Sequence, residues 1–280
     1  MADVNTGAAA STVGLRSAAE LVDYVETVGV NKSRQPLQST MVLGILAGMF
    51  IGLGSMVYTL VTSDTTLSFA ARQLLGGLTF CLGLVLVVVA GAELFTGNVL
   101  MVVAWSRGKI TGSQVLRNWL LVLLANLIGS VLLGVLVLYS GTLGLNKGAV
   151  AVHALEVAGK KDGLNFLTAF VSAIMCNLLV CLAVWLSYAG RTVADKILAV
   201  IFPIMTFVAC GFEHSVADMY FLPLGLMLRA SGVVGAGVGN ISLGETVAHL
   251  IVVILGNIVG GGLLVGLLYH WAYRPKPATA

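Results

Sequence analysis

Glu213, His214 and Asp218 fall within six residues of one another in a chain whose mean hydropathy is +1.00 and in which 10% of residues are charged. Ionisable groups at membrane depth are costly, so they face a bundle interior or a water-filled path rather than lipid. A segment that carries three of them therefore reads as the functional site. A second stretch, Gly91-Ala-Glu93-Leu94-Phe95-Thr96-Gly97-Asn98, repeats the plan of Gly211-Phe-Glu213-His214-Ser-Val-Ala-Asp218. In both, a Gly stands two residues before a Glu, and a carboxamide or carboxylate follows five residues after it.

The rest of the composition agrees with a membrane interior. Hydrophobic residues are 58% of 280, and the charged share is far below the roughly one quarter of a soluble domain. Thirty-four glycines suit close helix packing, where small residues let backbones approach. The expectation is an all-α polytopic membrane protein. A formal charge of +3 with singly scattered bases makes no case for nucleic acid. Residues 1–38 lack a basic region followed at once by an apolar core, so no cleaved signal peptide is expected. Cys81, Cys176, Cys181 and Cys210 lie in apolar runs without ligand spacing, and neither a metal nor a disulfide is assigned to them.

In chain order, residues 8–30 show a helical period with one polar face, with Asn5 or Thr6 as cap, too short and charged to span and suited to the cytoplasmic face. Asn31–Pro36 is a basic link. Spans are expected at about 38–61, 74–105, 119–138, 164–188, 197–228 and 247–269. The second and fifth exceed the roughly 20 residues a crossing needs and are interrupted by the two glutamate motifs. A broken helix accounts for that, because irregular backbone at this depth must line a cavity or be buried in protein. Residues 140–163 read as a polar connection. Six crossings put both termini on one side, where ten Lys and Arg stand against five on the other, which makes that side cytoplasmic. The domain division is residues 1–37 (amphipathic helix and link), 38–273 (six-span channel) and 274–280 (cytoplasmic tail).

Asn126-Leu-Ile-Gly129 and Asn257-Ile-Val-Gly260 add a second repeated pair, so residues 38–138 and 164–269 look like two copies of a three-span unit. Three is odd, so the copies are inverted, and inverted repeats with broken helices are a transport architecture. The inner ends of such helices hold a small anion with backbone N–H groups and partial positive charge.

These motifs, with Lys109-Ile-Thr, Arg117-Asn118-Trp119, Cys176-Asn177-Leu-Leu-Val-Cys181, Ser187-Tyr-Ala-Gly-Arg191 and Gly256-Asn257-Ile-Val-Gly-Gly, resemble the formate/nitrite transporter family from first span to last, and within it the bacterial formate channels. The resemblance implies homopentamers of aquaporin-like protomers in the bacterial inner membrane, moving formate, with nitrite, hydrosulfide and other short monocarboxylates as alternatives, and no cofactor. By motif position, His214 is the central pore histidine, Thr96 its partner in the first break, and Asn177 a polar pore residue nearby. Leu84, Leu94 and Phe95 surround the cytoplasm-side constriction, Phe80 lies near that mouth, and Phe207 belongs to the opposite constriction. Lys161 is implied to attract the anion, and the amino-terminal helix to close the channel at low pH. Gly97-Asn98 stands where some formate channels have small hydroxyl residues.

From residue chemistry alone, His214 is the side chain whose charge changes near neutral pH. A proton shared between His214 and formate would lower the cost of passing two apolar constrictions. Glu93, Glu213 and Asp218 read as structural acceptors for unpaired N–H groups, with Asn126 and Asn257 as buried supports. His153, His249 and His270 show no partner pattern and read as loop or interfacial residues. Paired Asn-Pro-Ala breaks, nucleotide loops and metal clusters are absent from the sequence, which argues against a neutral-solute facilitator and against an enzyme.

Overall fold

The structure, a computed structural model, describes residues 15–232 and 241–273, and every regular element among them is helical. Ten helices carry the argument: α1 (Ala18–Arg34), α2 (Leu37–Thr62), α3 (Phe69–Gly91), α4 (Phe95–Ser106), α5 (Gly112–Tyr139), α6 (Ala149–Asp162), α7 (Phe166–Ala189), α8 (Val193–Ala209), α9 (Ser215–Ser231) and α10 (Leu243–Ala272). Five of them, α2, α3, α5, α7 and α10, are long and apolar enough to cross a membrane.

Local sequence sets the helix starts. Ser17, Ser68, Thr111, Asn165, Thr192 and Ser242 each accept a backbone N–H of the first turn. This satisfies a donor that the helix itself leaves unpaired. Ser17 with Glu20, Thr111 with Gln114 and Thr192 with Asp195 close full capping boxes. The first helix thus starts at Ala18. Asn5, Thr6 and the first residues of the expected 8–30 helix lie outside the described residues, as do 233–240 in the glycine-rich connection and the 274–280 tail. The expected basic link is instead the last turn of α1, because Lys32 and Arg34 favour a helix C-terminus and the chain breaks only before Pro36.

The amphipathic face of α1 buries Leu21, Val22 and Val25 against Leu100, Val103, Val184 and Trp185. Each such fully buried side chain contributes about 1.5–3 kcal/mol. Arg107, from the turn after α4, holds α1 in place through Asp23 (2.6 Å) and Glu26 (2.9 Å). The stretch expected to be a polar connection, 140–163, contains α6, which buries Val150, Ala151, Ala154, Leu155 and Ala158. Its apolar face is mostly alanine and valine, a weak periodic signal.

The chain runs through the same order of elements twice. A short surface helix (α1, α6) leads to a long helix (α2, α7), then to a helix that breaks (α3, α8), a half-helix (α4, α9) and a closing long helix (α5, α10). At each break the last turn widens: Ala92 N–H donates to Val87 (2.9 Å) and Phe212 N–H to Phe207 (3.0 Å). A left-handed glycine then turns the chain, Gly91 at φ 80 and Gly211 at φ 70. Only glycine takes that conformation without strain. Each half-helix packs on the other half's closing helix, α4 on α10 and α9 on α5. The closing helices approach α2 and α7 at Gly129 and Gly260, where an added Cβ would collide with the carbonyl oxygens of Ile45 and Ile174.

Candidate functional site

The backbone freed at the two breaks is held by two asparagines in the same way. Asn126 accepts from Phe95 N–H (2.9 Å) and donates to the carbonyls of Gly44 (2.8 Å) and Glu93 (2.9 Å). Asn257 accepts from Ser215 N–H (3.0 Å) and donates to the carbonyls of Ala173 (2.8 Å) and Glu213 (3.1 Å). Both asparagines are fully buried. Unpaired, each of these backbone groups would cost about 1–3 kcal/mol.

Among the described residues the carboxylates of Glu93, Glu213 and Asp218 take side-chain partners and accept no backbone N–H group, which corrects the expectation for all three. Each glutamate receives a lysine from the short helix that opens its half: Lys32 Nζ lies 2.7 Å from Glu93, and Lys161 Nζ 2.8 Å from Glu213. The asparagines already serve the N–H groups, so the carboxylates are left to pair with cations. Asn98 donates to Glu93 (2.7 Å) and to Asn118 (2.9 Å). At the matching places Asp218 pairs with Lys161 (2.9 Å), and His249 reaches Glu213 (3.2 Å) and Asp218 (3.5 Å). Burial works against the Lys161 ammonium, but the Asp218 and Glu213 charges outweigh it and hold its pKa above the ordinary lysine value. Oxygen and nitrogen donors of Glu213, Asp218 and His249 gather within 4.8 Å. The Lys161 ammonium bridges the two carboxylates and compensates one of their two charges.

His249 is therefore buried and partnered, not interfacial as its sequence neighbours suggest. His153 bonds Thr62 (2.9 Å), and His270 accepts from Arg107 (3.4 Å). Lys32, Asn118 and His249 belong to the two clusters without having been given a role from the sequence, and Asn98 stood in the repeated motif without its partners. A signal for them existed. Lys32 and Lys161 stand 129 residues apart, as do Gly44 and Ala173, while Asn118 and His249 stand 131 apart, as do Asn126 and Asn257.

The half-helices meet tip to tip. His214 is the N-cap of α9: its Nδ1 accepts the Ala217 N–H (3.0 Å), and its Nε2 lies 3.0 Å from Thr96 Oγ1. An Nδ1 that accepts leaves the proton of a neutral ring on Nε2, so Nε2–H is the group turned toward Thr96. Asn177 holds the Thr96 carbonyl (3.2 Å) and the Asn257 carbonyl (2.7 Å), and Cys181 adds a thiol contact to Thr96 (3.3 Å). Ser130 plays that part in the other half, donating to the carbonyls of Gly48 (3.2 Å) and Val216 (3.4 Å).

Two cavities flank this contact. On the α1 side a cavity of about 410 Å³ runs between Lys32, Lys196 and Tyr188 and reaches Leu84 and Leu94. On the α6 side one of about 50 Å³ is lined by Lys161, His214, Phe80, Phe207, Tyr58 and Phe221, among others. Its volume admits one or two solutes of water size, each about 30 Å³. Phe207 stacks on the His214 ring (5.7 Å) and meets Phe80 edge-on (5.6 Å). Phe80 thus belongs with Phe207 on the α6 side, not with the opposite mouth, because it lies three helical turns before the break on α3. Phe95 is buried edge-on against Trp119 (6.3 Å), behind the lining made by Leu84 and Leu94. The four cysteines are free.

A helical membrane protein with two broken helices meeting at one His–Thr contact, between a wide vestibule and a narrow apolar cavity, has the build of a transport protein for a small solute. A family model described as formate/nitrite transporter matches residues 19–271, and the chain belongs to that family. It is 41% identical over 268 residues to the formate channel FocA of Escherichia coli K12, covering 91% of this chain and 93% of that one. It is 38% identical over 267 residues to the uncharacterised transporter YrhG of Bacillus subtilis, covering 94% and 96%. Among solved structures, a pentameric formate channel with formate bound superposes with a TM-score of 0.79 at 37% identity, covering 85% of this chain and 98% of that one.

Proposed function

We propose that this chain conducts formate across the bacterial inner membrane as a homopentamer of six-span protomers built as inverted repeats, each with its own path, and that it catalyses no reaction. In the division into residues 1–37, 38–273 and 274–280, α1 lies on the cytoplasmic face, the middle part is the channel and the last part is on the cytoplasmic side. The α1 side is then the inside. The Thr96–His214 contact between two lysine-bearing cavities is the observation that carries the reading. An anion entering from inside meets Lys32 and Lys196, passes Leu84 and Leu94 with Phe95 behind them, and takes hydrogen bonds from Nε2–H of His214 and from Thr96. It leaves past Phe207 and Phe80 toward Lys161. Asn177, Asn126 and Asn257 hold the two tips in register, and the carboxylates of Glu93, Glu213 and Asp218 hold the lysines.

The hydrogen bonding of His214 also bears on proton coupling. If Nε2 gives its proton to formate, a second proton must arrive at Nδ1, which evicts the Ala217 N–H. Movement with a proton is thereby tied to loss of one helix cap, about 1 kcal/mol. Movement of the anion alone leaves the cap intact.

Competition flux in proteoliposomes tests the reading, with formate, nitrite and hydrosulfide offered together to the native protein and to His214→Asn. Asparagine keeps a capping oxygen but lacks the Nε2 donor. The expected result is preferred formate flux that falls roughly tenfold or more in the variant, the order of one lost hydrogen bond to a charged group. Preference for nitrite or hydrosulfide would move the substrate while keeping the path. Equal fluxes unchanged by the substitution would remove His214 from it.

A further inference from the structure

The two charge clusters are built alike but differ in charge. On the α1 side Lys32 and Glu93 carry one charge each and are completed by the neutral Asn98 and Asn118. On the α6 side the asparagines are replaced by Asp218 and His249, so Lys161 faces two carboxylates. That cluster is neutral only when His249 carries a proton. Without the proton it holds one net negative charge, directly behind the Lys161 ammonium that lines the cavity beside His214. A lysine backed by excess negative charge is a poor attractant for an anion.

The surroundings of His249 leave few other groups to compensate it. α6 contributes Lys161 and Asp162, the latter engaged by Ser242 N–H (3.0 Å) and Thr246 (3.1 Å). α9 contributes Asp218, the break Glu213 and His214, and α7 the Cys176 thiol, within electrostatic reach of both carboxylates. His249 Nδ1 is buried and has no hydrogen-bond partner among the described residues, so neither ring state is favoured from that side.

We propose that His249 is a second titrating histidine of the transport path, one whose protonation sets the affinity for the anion on the α6 side alone. This deepens the formate reading and rests on it. The α1 side lacks the counterpart, because Asn98 and Asn118 do not titrate.

Initial formate uptake is measured with pH varied only on the α6 side, in native protein, His249→Asn and the double Asp218→Asn/His249→Asn. The double variant recreates the residue set of the α1 cluster and so has a precedent within this fold. In the native protein KM from that side is expected to rise roughly tenfold as pH is raised from about 6 to about 10.5, the order for one unit charge about 10 Å away at an effective dielectric near 20. His249→Asn alone leaves the negative charge in place, so its KM is high and flat with pH. The double variant restores neutrality, so its KM is low and flat. A side-specific pH dependence that survives His249→Asn, or a double variant no better than the single one, overturns the proposal.

Absence of formate flux in the native protein at any pH would instead defeat the substrate reading. The proposal then stands or falls on nitrogen NMR of labelled histidine. An imidazole signal missing from His249→Asn must titrate across this range and must move in Asp218→Asn. A ring fixed in one protonation form throughout overturns it.

Discussion

Leu94 and His214 occupy the same place in the two halves, each the cap position of a half-helix that follows a left-handed glycine. Around them the halves agree: Asn126 matches Asn257 bond for bond, and Lys32–Glu93 matches Lys161–Glu213. At the tips they differ. Thr96 bonds His214, while the reciprocal positions are Leu94 and Val216, both apolar and buried. Freed backbone at a helix break is the same physical problem in either half, so its solution is duplicated. A single polar contact at the meeting point needs unlike partners, so there the duplication ends. The scaffold is twofold and the chemistry is not.

The largest effects should come from the ion pairs, where the comparison is also easiest to break. Lys32→Met leaves one buried carboxylate unpaired and should cost about 3–5 kcal/mol in denaturant unfolding. Lys161→Met leaves Glu213 and Asp218 with His249 alone beside them, so it should cost more than Lys32→Met at alkaline pH, where the imidazole is neutral; equal losses there would mean that Asp218 adds no charge to its cluster. Asn126→Leu and Asn257→Leu each strand three buried backbone groups and should each cost roughly 3 kcal/mol or more, matching one another within measurement. A tolerated substitution in one half would show that its break is held by other means. Gly129→Ala and Gly260→Ala force a methyl onto a facing carbonyl and should cost about 1–3 kcal/mol each. His214→Leu, which makes the tips alike, removes a cap and the Thr96 hydrogen bond. Its stability loss should be about 2 kcal/mol, read by thermal unfolding, while flux is lost.

Much of this was legible in the sequence because Gly, Glu and Asn recur at fixed spacings and because charge inside apolar runs demands a cause. The breaks, the supporting asparagines and His214 follow from that. What escaped depends on distance along the chain. His249 finds its carboxylates 36 and 31 residues upstream, and nothing adjacent to it announces them. Lys32 sits among other basic residues that suggest a link, and its glutamate lies 61 residues on. α6 hides because its buried face is built from small side chains. Phe80 could not be assigned to a side of the path without knowing which helix it faces.

In the proposed path the anion passes between the two tips and is held there by one neutral imidazole. Dipolar recoupling between ¹³C-formate and ¹⁵N-histidine in membranes measures this directly, with His214→Asn identifying the signal. The formate carbon is expected within about 4 Å of Nε2 of His214, a hydrogen-bonded separation. Coupling that persists unchanged in His214→Asn, or none to His214 in the native protein at saturating formate, would contradict it.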